Sequence, residues 1–398
     1  MSGKFRVAGL FAGIGGIELG FHAALGDGLD TVLLCESWEP AQQVLRARFP
    51  GVDVHPDVQE LRDLPDNLDV LAAGFPCTDL SQAGRTAGIH GAQSGLVAHV
   101  FEMLQLTKRR GRRMPWVLIE NVPNMLTLDR GEAMAYLVRE LEDLGYRWAY
   151  RVVDSRFTGV PQRRRRVIMV ASCTDDPRGV LFADESAPLD ESLLSSDAFG
   201  FYWTEGRSGV GWAKDATPTL KGGSALGIPS PPAVWLPDWT DRPTIVLPTI
   251  EDSEALQGFK RGWTDAASDS RRNGPRWKLV GNAVTVGVST WVAERLLDPG
   301  TPHDLPSVEF IRTAGWPTSA WGEKGKVHRV IASEFPRQAK YTHLLDLLDV
   351  DQCLPLSHRA ASGFWGRLQQ TNLGRYPNFR EDLAAYVALT DPTPRVSA

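Results

Sequence analysis

Two side chains with reactive potential follow short apolar runs in the first third of the chain. Cys77 comes after Gly74-Phe75-Pro76, and Glu120 comes directly after Trp-Val-Leu-Ile. A thiolate is a strong nucleophile, while a carboxyl beside apolar residues is expected to have a raised pKa and to act as an acid. The plainer alternatives are that Cys77 is a small buried hydrophobe and that Glu120 caps a helix. The pair therefore predicts a nucleophile with an acid partner and leaves both alternatives open.

A glycine-rich turn lies near the N-terminus, where Leu10–Gly16 reads LFAGIGG between a predicted strand and a predicted helix. Glycines let the backbone approach a ligand closely, and the helix start offers free N–H groups. A dinucleotide fingerprint needs a third glycine, but Glu18 stands at that position, which weakens an interpretation as an NAD enzyme. Glu36 follows the next predicted strand, where an acid can accept hydrogen bonds from ribose hydroxyls. Asp57 can accept a hydrogen bond from an adenine amino group.

Two basic runs stand out in a chain whose net charge is −5. Residues 108–113 read KRRGRR, and Gln162 is followed by four arginines. If the second run is a strand, Arg164 and Arg166 share one face and can bind phosphate or orient Glu120. Such runs can bind a nucleic acid backbone, although a solvated surface is the simpler interpretation.

Short apolar runs alternate with helical patterns over the first 170 residues, which predicts βαβ units and a parallel, doubly wound α/β sheet. In such a sheet, ligands bind beyond the carboxyl ends of the strands. The glycine-rich turn, Glu36, Asp57, Cys77 and Glu120 all fall at or after strand ends, so we expect one sheet edge to gather them. The predicted strands are 5–10, 31–35, 70–74, 116–120, 146–154 and 167–172, and the predicted helices are 16–24, 40–49, 95–107 and 132–144.

The composition and the periodicity of the sequence change beyond position 183. Trp, Pro and Gly accumulate up to about Val246, and regular periodicity returns afterwards. We therefore expect a catalytic, cofactor-binding domain at 1–183, a loop-rich recognition region at 184–246 and a return to the first domain at 247–298. A mostly helical C-terminal extension is expected at 299–398.

Composition excludes several other classes of protein. The four cysteines are scattered without a CxxC pair, so neither a metal site nor a disulfide framework is expected. The sequence contains no run of about 18 apolar residues, so no membrane span is expected. The N-terminus does not resemble a signal peptide. A monomer in the reducing cytoplasm is the expected state.

Six segments resemble, in order, the motifs of the DNA (cytosine-C5) methyltransferase family, over about Phe5 to Leu297. One departure is that Ser37 follows Glu36 where many members have Trp, and Trp38 comes next. The Thr217-Pro218-Thr219-Leu220 stretch also resembles a Thr-Leu pair of the family's recognition domains. The six segments are FAGIGG (11–16), GFPCTDLSQAG (74–84), ENVPNM (120–125), QRRRR (162–166), LPTIEDSEALQGF (247–259) and VGNAVTVGV (280–288).

The resemblance implies a SAM-dependent methyltransferase of Rossmann-like fold that methylates C5 of a flipped-out cytosine. Cys77 would add to C6 of the ring, and Glu120, Arg164 and Arg166 would assist as catalytic residues. S-adenosyl-L-methionine is the implied cofactor. The residues implied to bind it are Phe11, Gly13, Gly15, Gly16, Glu36, Asp57, Phe75, Pro76, Asn282 and Val284.

The implied partner is double-stranded DNA, whose sequence the region 184–246 would read. Cognate restriction components, phage-defence components and an isolated regulatory role all stay open. Three rival classes are an RNA methyltransferase of the same fold, a non-catalytic DNA-binding module and an NAD-dependent oxidoreductase. Cys77 and Glu120 argue against the second and third, and methyl incorporation into DNA or tRNA separates the first.

Overall fold

The structure is a computed structural model that describes residues 3–75, 95–222, 230–240, 242–268, 274–311 and 315–392. The chain divides into two compact units, each made of three segments. Unit 1 comprises Met1–Thr158, Arg165–Leu189 and Ala283–Ala339, and unit 2 comprises Gly159–Arg164, Asp190–Asn282 and Lys340–Ala398. Both units are wider than the predicted segments, because the chain returns to each of them after the other has begun.

The strands and α-helices of the described residues are numbered in chain order. The strands are β1 (Phe5–Leu10), β2 (Leu29–Cys35), β3 (Val54–His55), β4 (Val70–Ala73), β5 (Trp116–Asn121), β6 (Arg147–Asp154), β7 (Gln162–Arg163), β8 (Arg165–Ser172), β9 (Phe199–Phe201), β10 (Ala213–Lys214), β11 (Thr217–Pro218), β12 (Ala233–Trp235), β13 (Ile245–Leu247), β14 (Ser307–Glu309), β15 (Ser319–Glu323), β16 (Lys326–Val330) and β17 (Leu354–Pro355). The helices are α1 (Gly16–Leu25), α2 (Glu39–Arg48), α3 (Leu96–Arg109), α4 (Glu132–Asp143), α5 (Arg178–Leu181), α6 (Ile250–Leu256), α7 (Gly274–Asn282), α8 (Val286–Leu297), α9 (Leu344–Leu347), α10 (His358–Gln369) and α11 (Phe379–Thr390). None of these helices is long and apolar enough to cross a membrane.

Unit 1 is built on a ten-stranded sheet with the order β14-β16-β15-β6-β8-β5-β4-β1-β2-β3. The five strands from β3 to β5 are parallel. β8 runs antiparallel to both β5 and β6, so the sheet is mixed rather than wholly parallel. The predicted α/β class and doubly wound sheet are confirmed, and the direction of β8 is the exception. β6 reaches β8 by a short connection of the kind that antiparallel neighbours need, whereas parallel neighbours need a crossover.

Alternate residues of the central strands feed two apolar cores, one on each face of the sheet. In β4, Leu71 and Ala73 join the core that contains α3 and α4, while Val70 and Ala72 join the core that contains α1 and α8. α1 and α8 pack so closely that a Cβ at Gly20 would lie 2.4 Å from the Ser289 side chain. This close packing against α8 fixes the position of α1, which begins just after the turn that follows β1.

The first part of the C-terminal extension is not helical. β15 pairs antiparallel with β6, and β16 and β14 continue the sheet outward. The β15–β16 hairpin turns at Lys324 and Gly325, whose φ angles of 51° and 79° are those of a tight two-residue hairpin turn. The expected mostly helical character holds only from α9 onward. The Lys-Gly pair, which suits a two-residue turn between the short segments 319–323 and 326–330, is the local sequence signal for this hairpin.

Unit 2 contains a five-stranded sheet with the order β10-β9-β12-β13-β17. Ala233 and Trp235 of β12 face an apolar core that includes α10 and α11, and Val234 faces another that includes α6 and α7. Both faces of this short-stranded sheet are therefore covered. The residues 340–392 belong to the same compact unit as the predicted recognition region, which explains why that region is short by itself.

Candidate active site

The carboxyl ends of four parallel strands meet at one edge of the unit 1 sheet. Leu10 lies opposite both Cys35 and Ala73, and Ala73 lies opposite Ile119. The residues that follow these positions include the glycine-rich turn, Glu36, Gly74 and Glu120. The sequence-based expectation that one sheet edge gathers these groups is met for the described residues.

The carboxylate of Glu36 ties the glycine-rich turn to the beginning of α2. Gly13 donates its N–H to Oε2 of Glu36 at 2.9 Å, and Trp38 donates its N–H to Oε1 at 2.9 Å. Ala12 donates to the carbonyl of Cys35 at 3.0 Å, which holds the turn against the end of β2. An ionised carboxylate has about four acceptor positions, so Glu36 retains capacity for further donors such as ribose hydroxyls.

The turn has a left-handed backbone at three consecutive odd positions. The φ angles of Phe11, Gly13 and Gly15 are 55°, 57° and 79°. A Cβ at Gly15 would lie 2.2 Å from the Phe49 ring, whereas a Cβ at Gly13 would have no described atom within 4 Å. Gly15 is therefore required by packing, and Gly13 faces open space above the sheet edge.

These features fit an adenosyl cofactor such as S-adenosylmethionine. The turn exposes backbone at Gly13, α1 begins at Gly16, and Glu36 stands beside them. Asp57 is half-buried just after β3 and accepts the N–H of Gln59 through Oδ1 at 2.9 Å. Phe75 is buried, and its ring packs edge-on against Phe11 with centroids 6.2 Å apart. Within the described residues, no group of three or more His, Cys, Asp or Glu side chains could hold a metal ion.

Asn121 is a site residue whose role the sequence analysis did not assign. Its side-chain Nδ2 donates to the Phe75 carbonyl at 3.0 Å, and its Oδ1 accepts the N–H of Val122 at 2.8 Å. Asn121 is buried, and it follows Glu120 at the end of β5. It therefore fixes the backbone that leads into Pro76 and Cys77. The available signal was a polar amide continuing an apolar strand, since a buried amide needs partners.

Glu120 forms an ion pair with Arg166. The distance from Arg166 Nε to Glu120 Oε1 is 2.8 Å, and their side chains are only 11% and 10% exposed. Arg166 lies on β8, opposite Val153 of β6, and Glu120 lies opposite Ile168 of β8. The antiparallel pairing of β5 with β8 thus brings the guanidinium to the carboxylate. Breaking such a pair leaves an uncompensated, largely buried charge.

The expectation that Arg164 and Arg166 share a face is wrong. The chain is not one continuous strand here, because Arg164 lies between β7 and β8. The Arg164 side chain is fully buried in unit 2 and donates to the carbonyls of Leu220 and Gly281, both at 3.1 Å. Arg166 belongs to unit 1, as described above.

Gln162 extends this organising role within unit 2. Its side chain donates to the Leu256 carbonyl at 2.9 Å and accepts the N–H of Leu220 at 3.1 Å. Gln257 in turn donates to the Val280 carbonyl at 3.0 Å. Gln162 and Arg164 therefore connect three segments singled out by the sequence, namely 217–220, 247–259 and 280–288.

The remaining predicted site residues fall in three places. Asn282 is exposed at the end of α7 in unit 2, and Val284 is half-buried in unit 1 just before α8. Pro76 and Cys77 lie outside the described residues.

Glu18 is a second group that the sequence analysis noted without assigning a role. Both of its carboxyl oxygens are buried, and no other residue that the structure describes donates a hydrogen bond to them. Burial raises its pKa from 4.5 to about 7, against a smaller lowering by its own backbone N–H. A Cβ at Gly9 would lie 1.9 Å from Glu18 Oε1, so the carboxyl rests against β1 beneath the turn. The buried acid Glu18 therefore occupies the position at which a dinucleotide fingerprint has its third glycine.

Comparisons with known proteins show which family the chain belongs to. The family model described as C-5 cytosine-specific DNA methylase matches residues 5–191. Over 388 residues, the chain is 46% identical to the Type II methyltransferase M2.BsuMI of Bacillus subtilis (strain 168), which covers 95% of this chain and 97% of that relative. Over 320 residues it is 27% identical to the Type II methyltransferase M1.ScrFI of Lactococcus lactis subsp. cremoris, covering 74% of this chain and 78% of that one.

The fold has solved counterparts as well. The crystal structure of S. pombe Dnmt2 methyltransferase matches with a TM-score of 0.53 at 16% identity, covering 74% of this chain and 99% of that chain. A sheet of this kind, with a glycine-rich turn and an acid at a strand end, is typical of folds that bind nucleoside cofactors. The chain belongs to the C-5 cytosine-specific DNA methylase family. The predictions of a DNA cytosine-5 methyltransferase and of S-adenosylmethionine as methyl donor are confirmed at this level.

Proposed function

We propose that the chain methylates C5 of a flipped-out cytosine in duplex DNA, with Cys77 as nucleophile and Glu120 as its acid partner. The observation that carries this proposal is the 3.0 Å hydrogen bond from Asn121 to the Phe75 carbonyl. It joins the strand end that bears Glu120 to the backbone two residues before Cys77. A cytosine ring that contacts Glu120 is therefore the substrate that we expect Cys77, two residues after Phe75 in the sequence, to attack.

C5 of cytosine is too weak a nucleophile to take a methyl group unaided. The Cys77 thiolate adds to C6, the C5–C6 π electrons shift to form a C4–C5 double bond, and the C4–N3 π electrons move to N3, which makes C5 an enamine carbon. Bound S-adenosylmethionine supplies an electrophilic methyl group at its sulfonium. Glu120 holds the N3 and amino edge of the base and stabilises a proton at N3 as negative charge builds. Arg166 keeps the Glu120 carboxylate in position. Loss of the C5 proton and departure of Cys77 then restore the aromatic ring.

This chemistry needs access to the ring from both faces. The base must therefore leave the duplex, which costs a few kcal/mol that protein contacts recover. The adenosyl part of the cofactor would be held by Glu36, Gly13 and Phe75. Asp57 would accept a hydrogen bond from the adenine amino group. Arg164 positions motif segments inside unit 2 and acts on the reaction only indirectly. A thiolate nucleophile also needs a reducing compartment, which supports the cytoplasm as its setting.

Unit 2 would read the target sequence from a groove of the duplex, where base edges carry the sequence information. The relative M2.BsuMI bears the name of a Type II methyltransferase. We therefore place this chain as the modification enzyme of a restriction-modification system. Its function there would be to mark sites that a partner nuclease would otherwise cut.

The test is to incubate purified protein with tritiated S-adenosylmethionine and either mixed-sequence duplex DNA or bulk tRNA. Methylcytosine positions in plasmid DNA from expressing cells are mapped by sequencing, and the same plasmid is challenged with nucleases that recognise the mapped site. We expect label in DNA at one defined sequence, with protection from cleavage there. Label in tRNA alone would contradict the proposal. Label in DNA without protection would contradict only the restriction context.

A further inference from the structure

The basic side chains of this protein differ in whether acidic neighbours neutralise them. In the KRRGRR run, Arg110 and Arg112 both pair with Asp63, and Arg113 pairs with Asp69. Three of the five basic side chains of this run are therefore paired, whereas Lys108 and Arg109 have no ion pair among the described residues. The paired part of the run is better interpreted as a solvated surface than as a phosphate-binding one.

The turn between α10 and α11 has the opposite character. Residues 375–378 and the first turn of α11 line a surface pocket of about 450 Å³. Arg375 and Arg380 both lie in its wall, and neither has a carboxylate within ion-pair distance among the described residues. Arg375 is exposed and donates to the side chain of Asn372 at 2.7 Å. Two guanidiniums thus line one concave surface, and no carboxylate in the part of the chain that the structure describes is paired to either of them.

This turn is built into the part of unit 2 that carries the recognition motifs. The Tyr376 ring stacks on Trp212 with centroids 3.7 Å apart and an interplanar angle of 11°. Trp212 directly precedes β10. Burial raises the pKa of Tyr376, and the nearby positive charge of Arg163 offsets part of that rise. Arg163 belongs to β7, which pairs with β11 of the 217–220 segment. A rigid aromatic stack therefore holds the pocket beside the segments expected to meet DNA.

We propose that the 375–381 turn is a phosphate-binding part of the DNA footprint, with Arg375 and Arg380 contacting the backbone of the duplex next to the recognised sequence. This inference rests on the proposed function, since it assumes duplex DNA as the substrate. Phosphate contacts set register and affinity, and they carry no sequence information themselves. The C-terminal extension would then both complete the fold of unit 2 and enlarge the surface with which unit 2 contacts DNA.

One residue of the pocket opposes this binding and so provides a test of opposite sign. Glu381 is exposed and lines the same wall. Its carboxylate repels a phosphate that Arg375 attracts, so removing its charge should strengthen DNA binding. Arg359 supplies a matched control at the other end of the helical hairpin, where His358 of α10 is 3.4 Å from Thr390 of α11. Arg359 is also exposed.

The experiment compares wild type with Arg375→Gln, Arg380→Gln, Glu381→Gln and Arg359→Gln. Affinity for a duplex carrying the mapped target site is measured across a series of NaCl concentrations. Each lost phosphate contact should reduce the slope of log K against log salt by about one and weaken binding several-fold at fixed salt. Glu381→Gln should bind more tightly than wild type. The kcat at saturating DNA should be unchanged in all four variants.

The outcomes separate this inference from the proposed function. Failure of wild type to bind or methylate any duplex would overturn the proposed function. A wild type that methylates DNA, with Arg375→Gln behaving like Arg359→Gln, would overturn the inference alone. Arg380 also donates to the Leu368 carbonyl, so Arg375→Gln and Glu381→Gln decide the matter if Arg380→Gln unfolds.

Discussion

At the scale of single residues, the site depends on an amide that performs no chemistry. Asn121 holds the Phe75 carbonyl and is itself buried. Replacing it by Ala leaves that carbonyl without its partner, at a cost of about 1–3 kcal/mol. We expect Asn121→Ala to lower kcat by about tenfold or more while the S-adenosylmethionine Kd stays unchanged, since misplaced reacting groups lose rate steeply.

The control for that variant is Asn124→Ala in the same segment, because Asn124 is exposed. Steady-state methyl transfer and calorimetric cofactor binding measure the two quantities. If Asn121→Ala lost cofactor affinity and rate in equal proportion, Asn121 would be a general structural residue rather than a positioning one.

Gly13 and Gly15 make different demands on the same turn. Both have a left-handed backbone, which costs an L-residue about 1–2 kcal/mol, but only Gly15 packs against the Phe49 ring. Gly15→Ala should therefore lower the melting temperature more than Gly13→Ala does. Gly13→Ala, whose methyl would project into the open space, should lose more cofactor affinity per kcal/mol of lost stability. Thermal unfolding and calorimetry on both variants check this, and identical profiles would contradict it.

Glu18 makes stability depend on pH. Its folded pKa of about 7 lies above its ordinary 4.5, so the folded state binds this proton more tightly than the unfolded state. The stabilising contribution of the protonated carboxyl is fully present below pH 4.5, falls as pH rises toward 7, and is absent above that. Removing the titration should therefore help only at higher pH, by up to about 3 kcal/mol.

The corresponding variant is Glu18→Gln, which keeps the shape of the side chain. We expect it to raise unfolding free energy relative to wild type at pH 8 and to narrow that difference at pH 5. Denaturant unfolding at the two pH values measures the effect. A difference independent of pH would show that the buried carboxyl does not titrate in this range.

At the scale of elements, the C-terminal helices serve unit 2 by covering its sheet. Phe379 of α11 is fully buried and contacts the rings of Phe201, Trp212 and Trp235. Phe379→Ala should cost about 3–5 kcal/mol, as for other large buried aromatic side chains. Cofactor affinity should survive, because the glycine-rich turn belongs to unit 1.

Leu389→Ala on the same helix is the matched control, since Leu389 is 74% exposed. Denaturant unfolding, followed together with cofactor and DNA binding, distinguishes the two variants. A Phe379→Ala protein of normal stability and normal DNA affinity would contradict the assignment of these helices to unit 2.

The elements that could be predicted from the sequence are those with strong local patterns. β1 was located to the residue, and α1, α2 and α4 to within a residue or two, because apolar periodicity and flanking Gly or Pro mark their ends. The direction of β8 and the pairing of β15 with β6 are long-range choices that no local pattern encodes. Strands as short as β10 and β17 are fixed by tertiary packing and have no periodicity of their own.

The site divides in the same way. Glu36, Glu120 and the glycine-rich turn were predictable because each reactive or glycine residue directly follows an apolar strand. The role of Asn121 depends on a contact between residues 46 positions apart. The burial of Arg164 depends on a break between β7 and β8, which a run of four arginines hides.

At the scale of the whole molecule, a net charge of −5 is compatible with DNA binding because charge is distributed unevenly. Acidic neighbours pair with three of the five basic side chains of the 108–113 run in unit 1, whereas no carboxylate of the described residues pairs with Arg375 or Arg380 in unit 2. Local surface, rather than net charge, steers a polyanion at short range, since exposed charges are screened beyond about 10 Å in ordinary salt.

The central claim is that Cys77 forms the covalent bond that makes C5 reactive. Its most direct test is C5 methyl transfer from tritiated S-adenosylmethionine to duplex DNA by wild type, Cys77→Ala and Cys173→Ala, with cofactor binding measured in parallel. Cys173 is a free, half-buried thiol in unit 1 and is a matched control. We expect label from wild type and Cys173→Ala, and none from a Cys77→Ala protein that still binds the cofactor. Label at C5 persisting in Cys77→Ala would contradict the account.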